Sequence, residues 1–153
     1  MRFHRGWIGL LAMAAALCLA ATAAAERILL PGGAGSLEIP EDMRETPVGP
    51  EEGSLKADYV MPPDLEMFIF QYDAEGNAPR SLAEALIGAG KEAEVRRIGE
   101  TEFLIYEDRD ETDGAPCVGY TLLSGGKMTE ISFFYGSESA GEKTRIIMES
   151  FQP

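Results

Sequence analysis

Histidine, tryptophan and cysteine are almost absent from this chain of 153 residues. His4, Trp7 and Cys18 all lie in the first 25 residues, so residues 26–153 contain no histidine, no tryptophan and a single cysteine, Cys117. Ser-His-Asp and Cys-His catalysis, histidine-ligated zinc and the histidine–carboxylate iron site all need an imidazole. A lone cysteine cannot form an internal disulfide, so stability has to come from the hydrophobic core.

Basic residues and phosphate-binding motifs are also scarce. The chain has 13 Lys and Arg against 26 Asp and Glu, a formal net charge of −13, and no segment matches GxxxxGK[ST]. The glycine-rich PGGAGS at 31–36 lacks the lysine and the helix that a phosphate loop requires. Nucleic acids and anionic membranes carry the same sign of charge, so neither is an expected partner. We expect no cofactor, and a protein or other partner with a neutral-to-basic surface.

The first 25 residues are typical of an export signal. Two arginines among the first five residues precede an apolar stretch, Ile8–Ala20, and the small residues Ala23–Ala25 form a cleavage site. Cleavage is therefore predicted between Ala25 and Glu26, which gives a signal peptide at 1–25 and an exported protein, periplasmic or extracellular. No membrane span is expected after cleavage.

Two alternatives for this segment stay open. The apolar stretch is barely long enough to span a membrane as an uncleaved anchor. Cys18 could instead carry a lipid, although Leu17 stands where a lipoprotein signal normally has a small residue. After cleavage at Ala25, residues 26–153 keep all 26 acidic and 11 of the 13 basic residues, a net charge of −15. Their length is that of a single domain.

Alternation of apolar and polar residues between turn-rich segments predicts a set of short strands. In residues 66–72 three aromatic side chains share one face while Met67 and Ile69 share the other, so both faces of this strand are expected to be covered. Ser124–Lys127, SGGK, is typical of a tight hairpin. The predicted strands are 28–30, 37–39, 54–60, 66–72, 95–98, 102–107, 117–123 and 128–135.

Two helices interrupt and close this series. Capping boxes are predicted at Ser81–Glu84 and at Ser139–Glu142, and Gly88 ends the first helix early. Strands, a helix, four strands and a helix predict an α+β domain, with a mostly antiparallel sheet flanked by two helices. The inward stripe of the second helix is predicted to be Ala140, Thr144, Ile147 and Phe151.

The acidic stretch 107–120, EDRDETDGAPCVGY, is the best candidate for a calcium loop. Placing Gly114 at the sixth EF-hand position puts Arg109 at the first, and starting at Asp108 puts Asp113 where glycine is required. Neither frame works. A solvated turn between two strands is therefore expected, and a calcium-dependent binding module with looser geometry stays an alternative.

Two further chemistries need residues that are present. Cys117 has no histidine to activate it and is expected to be a small buried hydrophobe of the core. A pair of carboxylates could hydrolyse a glycosidic bond, so a small carboxylate-dependent hydrolase is the other alternative. With 26 acids, however, a pair is available by chance. We identify no catalytic, cofactor-binding or metal-binding residue from the sequence.

The order of elements resembles the PsbP-like (Mog/PsbP) superfamily. The similar features are SLEIP at 36–40 followed by a polar loop, the helix from Ser81-Leu82, the strands 102–107 and 128–135, and the closing 146–151. The resemblance covers nearly all of residues 36–152. It implies an antiparallel sheet in an α-β-α sandwich and non-catalytic work, as in extrinsic photosystem subunits, a Ran-GTPase-binding factor and exported bacterial proteins. No motif carries over a functional residue. We therefore expect an exported, non-enzymatic binding or accessory protein.

Overall fold

The computed structural model describes residues 24–50 and 52–153, so the predicted signal peptide lies almost entirely outside the described residues. The helices are α1 Pro79–Gly88 and α2 Glu138–Glu149, and a 3-10 turn spans Pro31–Gly33. The strands are β1 Ala25–Leu29, β2 Ser36–Pro40, β3 Arg44–Thr46, β4 Leu55–Met61, β5 Leu65–Asp73, β6 Glu92–Ile98, β7 Thr101–Arg109, β8 Pro116–Ser124 and β9 Lys127–Tyr135.

Seven of these strands form one sheet in the order β3-β4-β5-β9-β8-β7-β6. Every neighbouring pair in it is antiparallel, and β1 and β2 form a separate antiparallel hairpin. The predicted α+β class with a mostly antiparallel sheet and two helices is confirmed. The β8-β9 hairpin turns at Gly125 and Gly126, both with positive φ, 56° and 76°. Positive φ at both central positions is the requirement of a type I′ two-residue turn, and glycine meets it without strain.

One face of the sheet is covered by two elements, the β1-β2 hairpin and α2. We call it the covered face. Met67 and Ile69 of β5 and Phe133 of β9 point into it and are at most 1% exposed. Leu37 of the hairpin and Ile147 of α2 belong to the same cluster of buried side chains. The predicted inward stripe of α2 is confirmed for Ala140, Thr144 and Ile147, whereas Phe151 is buried but lies beyond the helix, which ends at Glu149.

The other face is covered only in part. α1 packs over β6, β7 and β8, and Ala83 of α1 and Leu104 of β7 are buried there. The rest of this face, over β4, β5 and β9, is what we call the open face. Val60, Phe68, Phe70 and Phe134 are half-buried on it, and Tyr72 is 36% exposed. The expectation that both faces of β5 are covered is therefore wrong, because α1 is short and lies towards the β6 edge.

Both predicted capping boxes place the N-cap at the wrong residue, because the helices start earlier in the chain. α1 begins at Pro79, and the Ser81 hydroxyl, inside the first turn, accepts a hydrogen bond from the Ala78 amide at 2.9 Å. α2 is capped by Ser137, whose hydroxyl accepts from the Ala140 amide at 3.1 Å. Proline at the first helical position needs no amide partner, and α1 accordingly starts three residues before the predicted position.

Candidate binding site

A cleft of about 530 Å³ opens between α2 and the covered face. The apolar residues Ile105, Val118 and Tyr120 of β7 and β8 line it. On the side of α2, Gly141 and Thr144 line it, and their small side chains leave room between helix and sheet. Burial raises the pKa of Tyr120, so its phenol is neutral at physiological pH and can donate a hydrogen bond.

The rim of this cleft is acidic. It carries two arginines, but Arg96 is paired with Glu94, and Arg145 with both Glu142 and Glu149. The remaining rim charges are therefore negative, on Glu107 and Glu138. A smaller depression of about 220 Å³ extends the cleft to the β6 edge of the sheet, where Glu92 joins Glu94 and Glu107.

Glu92 and Glu107 stand directly opposite each other on β6 and β7. Within residues 24–50 and 52–153, neither carboxylate has an ion-pair partner. Like charges at directly opposed positions of an antiparallel pair destabilise the sheet. A cationic group placed between them would relieve this repulsion, so the pair favours a positively charged occupant.

The same pair is poorly suited to hydrolysis. A general acid needs a carboxyl held in an apolar environment that raises its pKa, and both Glu92 and Glu107 are exposed. Asp58 is a carboxyl whose pKa is raised, by burial, and it lies on the opposite side of the sheet. In the described part of the chain, no group of three or more His, Cys, Asp or Glu side chains is placed to hold a metal ion.

The predicted strand-connecting turn is present, but shorter than expected because β7 runs to Arg109 and β8 starts at Pro116. The carboxylate of Asp110 accepts hydrogen bonds from the Thr112 and Asp113 amides at 2.6 and 3.3 Å, and these bonds lower its pKa. Asp113 accepts from the Ala115 amide at 2.8 Å. The acidic side chains of the loop thus form the turn itself.

Cys117 is half-buried rather than part of the core, which corrects the prediction of a buried residue. It lies beside Asp108 and Phe134, at the end of the sheet where β8 begins. Burial first, and then the charge of Asp108, raise the pKa of the Cys117 thiol. A thiol held protonated is a poor nucleophile, so its chemistry does not define a site.

The open face has a polar centre within an aromatic surround. The Tyr106 and Ser132 hydroxyls each donate a hydrogen bond of 2.7 Å to Oε1 of Glu130. Phe70, the cross-strand neighbour of Glu130 on β5, flanks it. Burial, together with this carboxylate, raises the pKa of Tyr106, which keeps the phenol protonated as a donor.

A glycine makes the Tyr106 contact possible. A Cβ built on Gly119 of β8 would lie 2.2 Å from the Tyr106 ring. The ring therefore lies flat against the backbone of β8, and its hydroxyl reaches across to β9. No local pattern in the sequence marks Gly119, Tyr106 and Glu130 as neighbours, since their proximity depends on the register of three strands.

These elements define an α+β domain of the PsbP-like fold. It is similar to the solution structure of cyanobacterial PsbP (CyanoP) from Synechocystis sp. PCC 6803, with a TM-score of 0.62, 9% identity, and coverage of 87% of this chain and 94% of that one. It is also similar to a crystal structure from Bacteroides thetaiotaomicron VPI-5482, with a TM-score of 0.61, 15% identity and 83% of this chain covered. This chain spans 47% of the length of the Bacteroides protein. At these identities the likeness shows the fold alone.

No family model and no curated protein matches the sequence. The similarity to cyanobacterial PsbP confirms the predicted resemblance to the PsbP-like superfamily at the level of the fold, but it assigns no role to any residue. From residue 24 onward, the chain forms no helix with the length and apolar character needed to cross a membrane.

Proposed function

We propose that this protein is an exported, non-enzymatic binding protein whose cleft receives a basic segment of a partner protein. The observation that carries the proposal is the facing pair Glu92 and Glu107 at the acidic rim, which forms no ion pair among the described residues. The negative charge of the whole chain, −13, would steer cationic partners towards this rim.

The export part of the proposal is tested by processing. Mass spectrometry of the protein recovered from the envelope or medium of its host should show a chain beginning at Glu26. Ala25, the residue before the cut, is the exposed first residue of β1, so its loss removes no buried contact. A mass that retains residues 1–25, or a lipid on Cys18, contradicts this part.

The cleft is tested with a lysine-rich decapeptide titrated into the isotopically labelled chain 26–153. Amide shifts should concentrate on β6, β7 and the first half of α2. Replacing both opposed acids, Glu92→Gln with Glu107→Gln, should weaken binding about tenfold, because two charge contacts are lost. The on-rate should fall as salt rises, since the Debye length shrinks from about 10 Å at 0.1 M to about 3 Å at 1 M.

Glu84→Gln serves as the matched control for each single substitution, Glu92→Gln or Glu107→Gln, because each removes one negative charge. Glu84 is an exposed acid of α1, on the other side of the sheet, and its loss changes the net charge without touching the cleft. Binding that weakens equally with Glu84→Gln would assign the effect to overall charge. Shifts spread over the whole surface would rule out the cleft as the site.

A further inference from the structure

The open face carries a contiguous group of half-buried aromatic side chains that pack on one another. Phe68 packs edge to face on Phe134, with ring centroids 5.6 Å apart and an interplanar angle of 83°. Phe70 lies 6.3 Å from Phe68, centroid to centroid. Contiguous apolar patches of this kind on a sheet face mark interaction surfaces.

Two carboxylates within this patch form no ion pair among the described residues. Glu130 accepts from two hydroxyls but makes no ion pair among the described residues, and neither does Asp58. Oδ1 of Asp58 is buried and lacks a hydrogen-bond partner. Asp58, Phe68 and Ser132 occupy neighbouring positions in one row across β4, β5 and β9. An acceptor withdrawn from water without a donor costs stability, so Asp58 is held on this face at a cost.

The chemistry of the patch selects its occupant. A second copy of the chain would bring the same carboxylates against one another, and like-charge juxtaposition is unfavourable. Nucleic acid and anionic lipid are repelled for the same reason. A small molecule needs a concavity, and the two depressions described above are lined by residues of the covered face and of α2. A partner that is both apolar and cationic remains.

We propose that the open face binds a segment of a partner protein in which arginine or lysine side chains are flanked by apolar ones. Phe68, Phe70 and Phe134 form the apolar floor. Glu130 and Asp58 are the counter-charges, with Glu130 oriented by Tyr106. A basic side chain that reaches Glu130 passes over the ring of Phe70, so a cation–π contact adds to the ion pair.

Strand geometry sets the spacing of the two counter-charges. Asp58 and Glu130 are two strands apart across β5 and two residues apart along it. With about 4.8 Å between strands and about 3.4 Å per residue, their Cα atoms are about 12 Å apart. Two basic residues on one face of a helix cover that distance at a separation of about seven or eight positions. In an extended segment, the separation is about four positions.

The test uses a random twelve-residue peptide library selected against the chain 26–153. The library is counter-selected against the double variant Asp58→Asn with Glu130→Gln. Both substitutions keep side-chain size, and the glutamine oxygen can still accept from Tyr106, so the variant is expected to fold. Peptides recovered by this scheme should contain arginine or lysine beside aromatic or aliphatic residues.

The recovered peptides are then titrated into the isotopically labelled chain. Amide shifts should map to β4, β5 and β9, and affinity should fall about tenfold in either single variant, Asp58→Asn or Glu130→Gln. Phe70→Ala should weaken binding by a similar factor. The cleft variant Glu107→Gln is the matched control and should leave affinity within twofold, which separates this proposal from the one made for the cleft.

Four outcomes overturn the inference. They are a selection that yields no enriched peptide, enriched peptides without basic residues, shifts that map to β6 and α2, and a concentration-dependent dimer that Glu130→Gln abolishes. The last would assign the open face to a second copy of the chain.

Discussion

Phe133 and Phe134 are adjacent in β9, and the sheet gives them opposite roles. Phe133 is fully buried on the covered face, against Met67 of β5. Phe134 is half-buried on the open face, beside Glu66, and packs edge to face on Phe68. The two residues have the same chemistry and the same strand, so the difference comes from the layer above each of them. The hairpin and α2 complete one face, and α1 leaves half of the other uncovered.

The polar residues of β9 also differ between the covered face and the open face. Along β9, the covered face receives Thr129, Ile131 and Phe133 in turn. The open face receives Glu130, Ser132 and Phe134. A charged carboxylate in the middle of one face is incompatible with a dry core unless it is paired. The open face therefore has the composition of a surface that meets water or a partner, although its aromatic residues alone would suit a core.

Truncating each phenylalanine in turn gives the largest expected effect. Phe133→Ala should lower the free energy of unfolding by about 4 kcal/mol, because it opens a cavity among fully buried side chains. Phe134→Ala should cost about 1 kcal/mol, since much of its ring already meets water. Urea unfolding followed by circular dichroism measures both. Equal losses would mean that the two faces are equally covered.

The second prediction concerns the contact between Tyr106 and the backbone of β8. Gly119→Ala places a methyl group where the Tyr106 ring lies, and relocating that ring should cost about 2 kcal/mol. In a chain that already carries Tyr106→Ala, Gly119→Ala should lower the free energy of unfolding much less than it does in the parent chain, because the ring that clashes with the methyl group is absent. Additive losses in this cycle would show that the ring does not lie on Gly119.

The same variant reports on Glu130. Displacing the ring removes the phenol that donates to Glu130 at 2.7 Å, while the Ser132 hydroxyl stays in place. The side-chain carboxyl resonance of Glu130 should therefore shift in Gly119→Ala, and the resonance of Glu107 should not. This measurement separates loss of the hydrogen bond from a general loosening of the sheet.

Much of the fold could be predicted from local pattern. The β5 and β7–β9 strands and the inward stripe of α2 follow from two-residue and helical periodicity, which act within a few residues. β3 was missed because Arg44–Thr46 has no apolar pattern and is held only by its pairing with β4. The predicted helix starts are wrong because Ser81 and Ser139 lie inside the first turns of the two helices rather than at their N-caps. Proline at 79 was the stronger signal.

The candidate surfaces could not be predicted in the same way. Glu92 faces Glu107, and Tyr106 reaches Glu130, through strand registers that no local pattern specifies. Alternation in β5 correctly assigned its residues to two faces, but it carries no information on what covers each face. What covers each face depends on where the ten-residue helix α1 packs on the sheet, and this position is determined by tertiary packing.

The last prediction tests whether Asp58, on the open face, lowers the free energy of unfolding. Burial raises the pKa of Asp58 above its ordinary 3.8, so the folded state prefers the protonated carboxyl. Above the folded pKa, the ionised carboxylate opposes folding, and below pH 3.8 both states are protonated and the penalty disappears. Asp58→Val removes both the charge and the unpartnered Oδ1. Stability at pH 7 should therefore rise by about 1 kcal/mol, the low end for such a group, because solvent screens a side chain that is partly exposed.

The pH dependence of this gain distinguishes its causes. If the charge is responsible, the difference between Asp58→Val and the parent chain, measured by urea unfolding, should shrink between pH 7 and pH 3. A gain that is constant with pH would instead reflect the higher strand propensity of valine. Val60→Thr, on the same face and strand, is the matched control for altered packing without a change in charge. A destabilised Asp58→Val would mean that the carboxylate has a stabilising partner in solution, which would remove one of the two counter-charges from the open face.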